Sequence, residues 1–195
     1  MPTIQVIETH MTALSAVLAE CAELKCRVET ERVAVSAITA ALVDASETLV
    51  QRGLLTPQKV EGLTVSMEEN ALDLRAALDE VDASITTAIA PVEVFTQATE
   101  RLRNVETSEV LSLDASAGES AETLPTLLDT IAAQYSALCE RLLRNVRELA
   151  AIAALRLDDL REKISLLQSS FGEITAAMAA PEFRRRPARH VVTHH

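Results

Sequence analysis

Residues 3–52, TIQVIETHMTALSAVLAECAELKCRVETERVAVSAITAALVDASETLVQR, contain neither proline nor glycine. Every seventh residue from position 7 is apolar: Ile7, Leu14, Cys21, Val28, Val35, Leu42 and Leu49. A second row at Ile4, Met11 and Leu18 continues as Lys25, Arg32, Thr39 and Ser46. Seven heptads in one register predict a long coiled-coil-type helix over about 3–52. At about 1.5 Å per residue it is roughly 75 Å long.

Gly53 is the expected stop, because a residue just past a helix end adopts positive φ, with Leu54 folding back on the last turn. Thr56 is a good N-cap, and Pro57 at the first helical position has no amide hydrogen to waste. So short a connection makes the next helix an antiparallel neighbour. That helix, 57–106, carries the rows Val60, Met67, Leu74, Val81, Ala88, Phe95, Leu102 and Thr64, Ala71, Leu78, Ile85, Val92, Thr99. Pro91 interrupts it without changing the phase of the rows, which predicts a kink rather than a boundary.

Residues 107–122 lose the period and gather Ser, Gly and acidic residues, so they are read as the loop. A third helix follows over 123–180, capped by Thr123 or Ser120 and stopped by Pro181. Its first half reads Leu128, Ile131, Tyr135, Leu138, Leu142, Leu149, and its second Leu157, Leu160, Ile164, Leu167, Phe171, Ile174, Met178. The two halves differ in register, which implies a stutter across Ala150 to Leu155. The expected fold is all-α: an elongated antiparallel three-helix bundle over 1–180, completed by oligomerisation, with a basic tail at 181–195. Val17, Leu24 and Ile38 fall outside both apolar rows of the first helix and are expected to face a partner or a second copy.

Composition agrees with helices. Hydrophobic residues make up 48% of the 195, aromatics only 2%, and there are four Gly and six Pro. Such a chain packs helices closely through small side chains. The net charge is −11, and the tail holds four Arg against one Glu, leaving the residues before it near −14. An acidic body repels nucleic acid and anionic lipid, so the expected partners are proteins. The start, MPTIQVIETHMTALS, lacks the charge and apolar run of a signal peptide, and no stretch is read as a membrane span. Three cysteines fit a reducing compartment, cytoplasm or nucleus.

Lys25 and Arg32 interrupt an apolar row, where a long charged side chain either snorkels out of a wet seam or sets register or partner. Pairing across the Gly53 turn places residue 25 opposite about 84 and residue 32 opposite about 77, so Asp79, Glu80 and Asp82 are the expected counter-ions. The same arithmetic through both turns makes Cys139 the neighbour of Cys21, as core thiols. His190, His194 and His195 in the tail have no Cys or carboxylate support for a metal. Arg184, Arg185, Arg186 and Arg189 form either a disordered solubilising end or an electrostatic arm for an acidic partner, a nuclear import receptor, nucleic acid or the acidic face of another protomer. No phosphate loop, metal cluster or nucleophile with a base is legible, so no enzyme and no cofactor are expected.

The expected function is a non-catalytic structural or interaction subunit, a helical strut or docking surface. In general build the chain is similar to the small helical subunits of cytoskeletal adaptor and tethering complexes, such as the dynactin shoulder, a likeness of architecture that no motif carries. The alternatives are a curved membrane-surface scaffold, bent at Pro91 and the stutter, and a helical chaperone or signalling adaptor.

Overall fold

The computed structural model describes residues 2–53, 57–113 and 123–179. Three helices follow one another, α1 (Pro2–Gln51), α2 (Pro57–Leu113) and α3 (Thr123–Ala179), and they pack as an all-α three-helix bundle. No strand occurs among the described residues. Gly53 ends the first helix with φ of 64°. Its amide donates to the Val50 carbonyl, and that of Arg52 to the Thr48 carbonyl, each at 3.0 Å. Leu54 and Thr56 lie outside the described residues, as does the tail from residue 180 on.

One boundary differs from expectation, while the reading of Pro91 as no boundary agrees with the structure. α2 is continuous through Pro91 and reaches Leu113, so residues 107–113 are helical rather than loop. Once a helix exists, each further residue adds a ladder bond, and Ser, Glu and Val carry only small propensity penalties. The remaining loop residues, 114–122, lie outside the description.

The expected body divides into two compact units, each drawing one segment from every helix. Unit one takes residues 1–26 and 82–155, and unit two takes 27–81 and 156–195. Within unit two the helix directions are fixed by polar pairs. Arg32 reaches Asp79 while Arg75 reaches Thr39, so α1 and α2 are antiparallel. Arg27 meets Asp158 at 2.6 Å and Glu31 faces Arg161 at 3.8 Å, so α1 and α3 run parallel.

One inward row per helix makes the core. α2 buries Met67, Ala71, Leu74, Leu78, Val81, Ile85, Ala88, Val92 and Thr99, the row its heptads predict. α1 buries Leu14, Val17, Cys21, Leu24, Val28, Val35, Ile38, Leu42, Ala45 and Leu49, alternating steps of three and four. Its first expected row is therefore core, but its second is displaced by one residue. Val17, at 1% exposure, and Leu24 and Ile38 are core residues, not a partner-facing surface. Lys25 and Arg32 flank the row, half-buried. The two choices differ by only 100° of rotation, and the chain turns inward the one with fewer charges.

That row still holds one charge. Glu31 stands between Val28 and Val35, its side chain only 16% exposed, facing the Nε of Arg161. With Arg27 and Asp158 it makes a ladder of alternating sign between α1 and α3. A slip of one turn would set Arg27 against Arg161, or Glu31 against Asp158, so like charges penalise the wrong register. The polar seam residue is thus Glu31, and Arg32 supports it from the side through Asp79 at 2.5 Å and Glu29 at 3.2 Å.

α3 buries Cys139, Leu143, Val146, Ala153, Leu157, Leu160 and Ile164, with Ala150 half-buried in phase. Steps of four and three alternate without a break, so there is no stutter. Leu138 and Leu149, expected inside, are exposed.

A segment of α1 within Gln5–Gln51 is long and apolar enough to cross a bilayer by length and composition, with mean hydropathy 1.6, which amends the expectation that no such stretch exists. A mostly buried core helix meets the same test; here 28% of the apolar stretch is buried, and Val35, Ile38, Leu42, Ala45 and Leu49 are among the core residues of α1.

Two outcomes follow. Leu143→Ala should lower the free energy of unfolding by about 2–5 kcal/mol, whereas Leu138→Ala should change it by under about 0.5 kcal/mol in dilute protein. Denaturant melts in the reverse order would restore the stutter. Glu31→Leu should raise the urea midpoint by an amount worth about 1–2 kcal/mol, since a packed apolar layer commonly outdoes an ion pair in a seam. A lower midpoint would mean that the Glu31–Arg161 pair is net stabilising.

Candidate functional site

The chain's single tyrosine, a phenylalanine and its one histidine outside the tail converge in unit one. Tyr135 on α3 stacks on Phe95 of α2 with ring centroids 5.2 Å apart, and meets His10 of α1 edge-on at 6.1 Å. The Tyr135 hydroxyl donates to Thr99 Oγ1 at 3.3 Å, and Thr99 in turn donates to the Phe95 carbonyl at 2.9 Å. The buried Thr99 is thereby satisfied. One turn from Tyr135, Cys139 is fully buried.

His10 Nε2 and Ser136 Oγ lie 2.7 Å apart. This pair was not legible in the sequence, where 126 residues separate its members. A serine beside an imidazole has the first element of a nucleophile–base arrangement. It lacks the next one here: both residues sit within continuous helices, whose amides are committed to the helical ladder and leave no N–H pair for an oxyanion. The pair acts as a polar clasp between α1 and α3. Beside it, a groove of about 310 Å³ is lined by Ile7, Glu8, Met11, Thr12, Thr99 and Glu100. Its two carboxylates make it unsuited to anions.

Burial governs the ionisable groups of this cluster. Desolvation pushes the Tyr135 phenol up to about 12, the bond to Thr99 working in the opposite sense. The Cys139 and Cys21 thiols are raised in the same way, chiefly by burial. Cys21 and Cys139 are both free and buried in unit one, while Cys26 is exposed. Protonated, buried thiols are poor nucleophiles, so they serve as small core residues. No cluster of three or more potential metal ligands occurs among the described residues.

The second feature of unit one lies on the outside of α3. Ile131, Leu138, Leu149 and Ile152 are between 39% and 52% exposed. With half-buried Leu142 and exposed Asn145 they form a row in steps of seven, four, three, four and three. Each member from Leu138 on precedes an inward residue by one position: Leu138 and Cys139, Leu142 and Leu143, Asn145 and Val146, Leu149 and Ala150, Ile152 and Ala153. The outer row thus stands about 100° around the helix from the inner one. α3 carries two heptad rows in this unit, and only one is covered.

Of the residues singled out as partner contacts, then, Val17, Leu24 and Ile38 belong to the core, and Lys25 and Arg32 sit half-buried beside it. Arg184, Arg185, Arg186 and Arg189 lie outside the described residues. Ile131, Leu138, Leu142 and Leu149, expected inside, thus belong to the outer row of α3, and the signal that distinguishes it is the second, one-residue-offset heptad beside it.

Because Tyr135 is the only tyrosine, phenolate absorbance reports it alone. Its midpoint in the folded protein should lie near 12, against about 10 after unfolding. The folded value is the higher one, so the phenol's contribution to stability is complete below pH 10 and is lost as the pH rises to about 12. A folded-state midpoint at the ordinary value would show that Tyr135 is solvated. No family model, no curated protein and no solved structure matches this chain, so its functional reading rests on the geometry of these helices.

Proposed function

We propose that this chain is a non-catalytic interaction subunit, a helical strut whose outer α3 face docks another helix in coiled-coil fashion, in a reducing compartment such as the cytoplasm. The observation that carries the reading is the row of exposed Ile131, Leu138, Leu149 and Ile152 with half-buried Leu142, set at the spacing that knobs-into-holes packing requires. Scattered exposed leucines are ordinary on protein surfaces. A row of large aliphatic residues in heptad phase over about six turns is an interface pattern.

The register ladder of unit two and the clasp of unit one supply the rigidity that a strut needs, since each fixes one helix against another through directional polar contacts. The membrane-scaffold alternative draws curvature from Pro91 and a stutter, and the unbroken inner row of α3 leaves Pro91 alone as its source.

A photo-crosslinking residue placed at position 138 of the full chain, activated in the native cell, tests the reading. Crosslinked peptides from a protein, a second copy included, are expected at 138 and not at Val94, which is exposed but has only Thr87, Ala90, Gln97, Ala98 and Arg101 at heptad spacing beside it. Crosslinks to lipid alone, or equal yields at both positions, would overturn the docking face.

A further inference from the structure

Resting on that reading, we infer that the occupant of the outer α3 row is the same row of a second copy, packed antiparallel about a two-fold axis. The argument is the row's self-complementarity. In an antiparallel pair centred between residues 143 and 144, Leu138 faces Leu149 of the second copy and Leu142 faces its Asn145. Both layers recur by symmetry, as an isologous interface demands. Residues flanking a seam on the same side then pair with one another, and here these are Arg141 and Glu148, both exposed. Arg141 of each copy meets Glu148 of the other, giving two opposite-charge pairs from one sequence.

In the parallel alternative Arg141 approaches Val146 of the second copy, which is buried in its own core and offers no charge. A single Asn within an apolar seam restricts partner register at some loss of stability. Asn145 faces a leucine here and keeps its exposed edge toward water. The local charge also permits the approach. Between Asp129 and Arg156 the helix holds four Arg against three carboxylates, so this face is close to neutral on a chain of −11. Two copies meeting elsewhere would bring their acidic surfaces together. The matched layers run from Leu138 to Leu149, about 17 Å of helix, and beyond them Ile131 and Ile152 lie opposite Arg156 and Tyr135 of the second copy.

Sedimentation equilibrium of the full chain tests this. The wild type is expected to form dimers, and Leu138→Glu with Leu149→Glu to leave monomers whose circular dichroism is unchanged, because neither residue is in the core. Arg141→Glu sets like charges together twice and should weaken dimerisation by about tenfold or more. Adding Glu148→Arg to it should restore the wild-type affinity.

A wild type that is monomeric at its highest soluble concentration would overturn the second-copy inference. Crosslinks from position 138 to another protein would then leave the docking face standing. A dimer indifferent to Leu138→Glu with Leu149→Glu would place the contact elsewhere and overturn the inference as well. A dimer that those changes abolish but the charge exchange leaves untouched would exclude the antiparallel register.

Discussion

Everything in this molecule depends on three inward rows, one per helix, excluding water from one another. No helix here has a reason to persist alone for 50 residues or more, because propensity contributes only tenths of a kcal/mol per residue and tertiary burial supplies the rest. The rows alternate steps of three and four, which keeps one narrow face turned to the axis along the helix. With no tryptophan and few other aromatics, that face is built from Val, Leu, Ile, Ala and Cys. Such residues allow close helix approach and few stored specifics of shape, so apolar packing alone would tolerate slippage by a turn.

Polar contacts answer that weakness, and they do so separately in the two units. In unit two the alternating ladder of Arg27, Asp158, Glu31 and Arg161 makes each wrong register a meeting of like charges. In unit one the contacts are uncharged or aromatic: the His10–Ser136 clasp, and Tyr135 held between Phe95, His10 and Thr99. Exposed ion pairs contribute little to stability, and the value of the ladder lies in discrimination between registers. A directional clasp does the same by leaving a hydrogen bond unmade when it is displaced.

The outer row on α3 reverses the usual relation between size and burial. Its members are Leu and Ile apart from Asn145, whereas the inner row beside it mixes Leu143 and Val146 with the smaller Cys139, Ala150 and Ala153. Small inward residues permit a close approach between helices, and the large outer ones are left to cover, or be covered by, something else. That arrangement is expected of a helix with two interfaces, one within the chain and one outside it.

How far the sequence could be read follows from this. The helices, the Gly53 stop, the Pro57 start and the α2 core row were legible because heptad phase and cap chemistry are local. So was the Arg32–Asp79 pair, since a short turn fixes the offset between α1 and α2. Which of two rows one residue apart turns inward was not legible. Leu18 beside Val17, and Leu138 beside Cys139, are equally apolar in sequence, and hydrophobicity carries no information about how closely a neighbour approaches. The sequence alone determined that three helices form and roughly where each begins. Only tertiary packing decided which face of α1 and α3 is interior, because that depends on the volume available between helices. The same choice made Glu31 the seam charge and left the row from Ile131 to Ile152 outside.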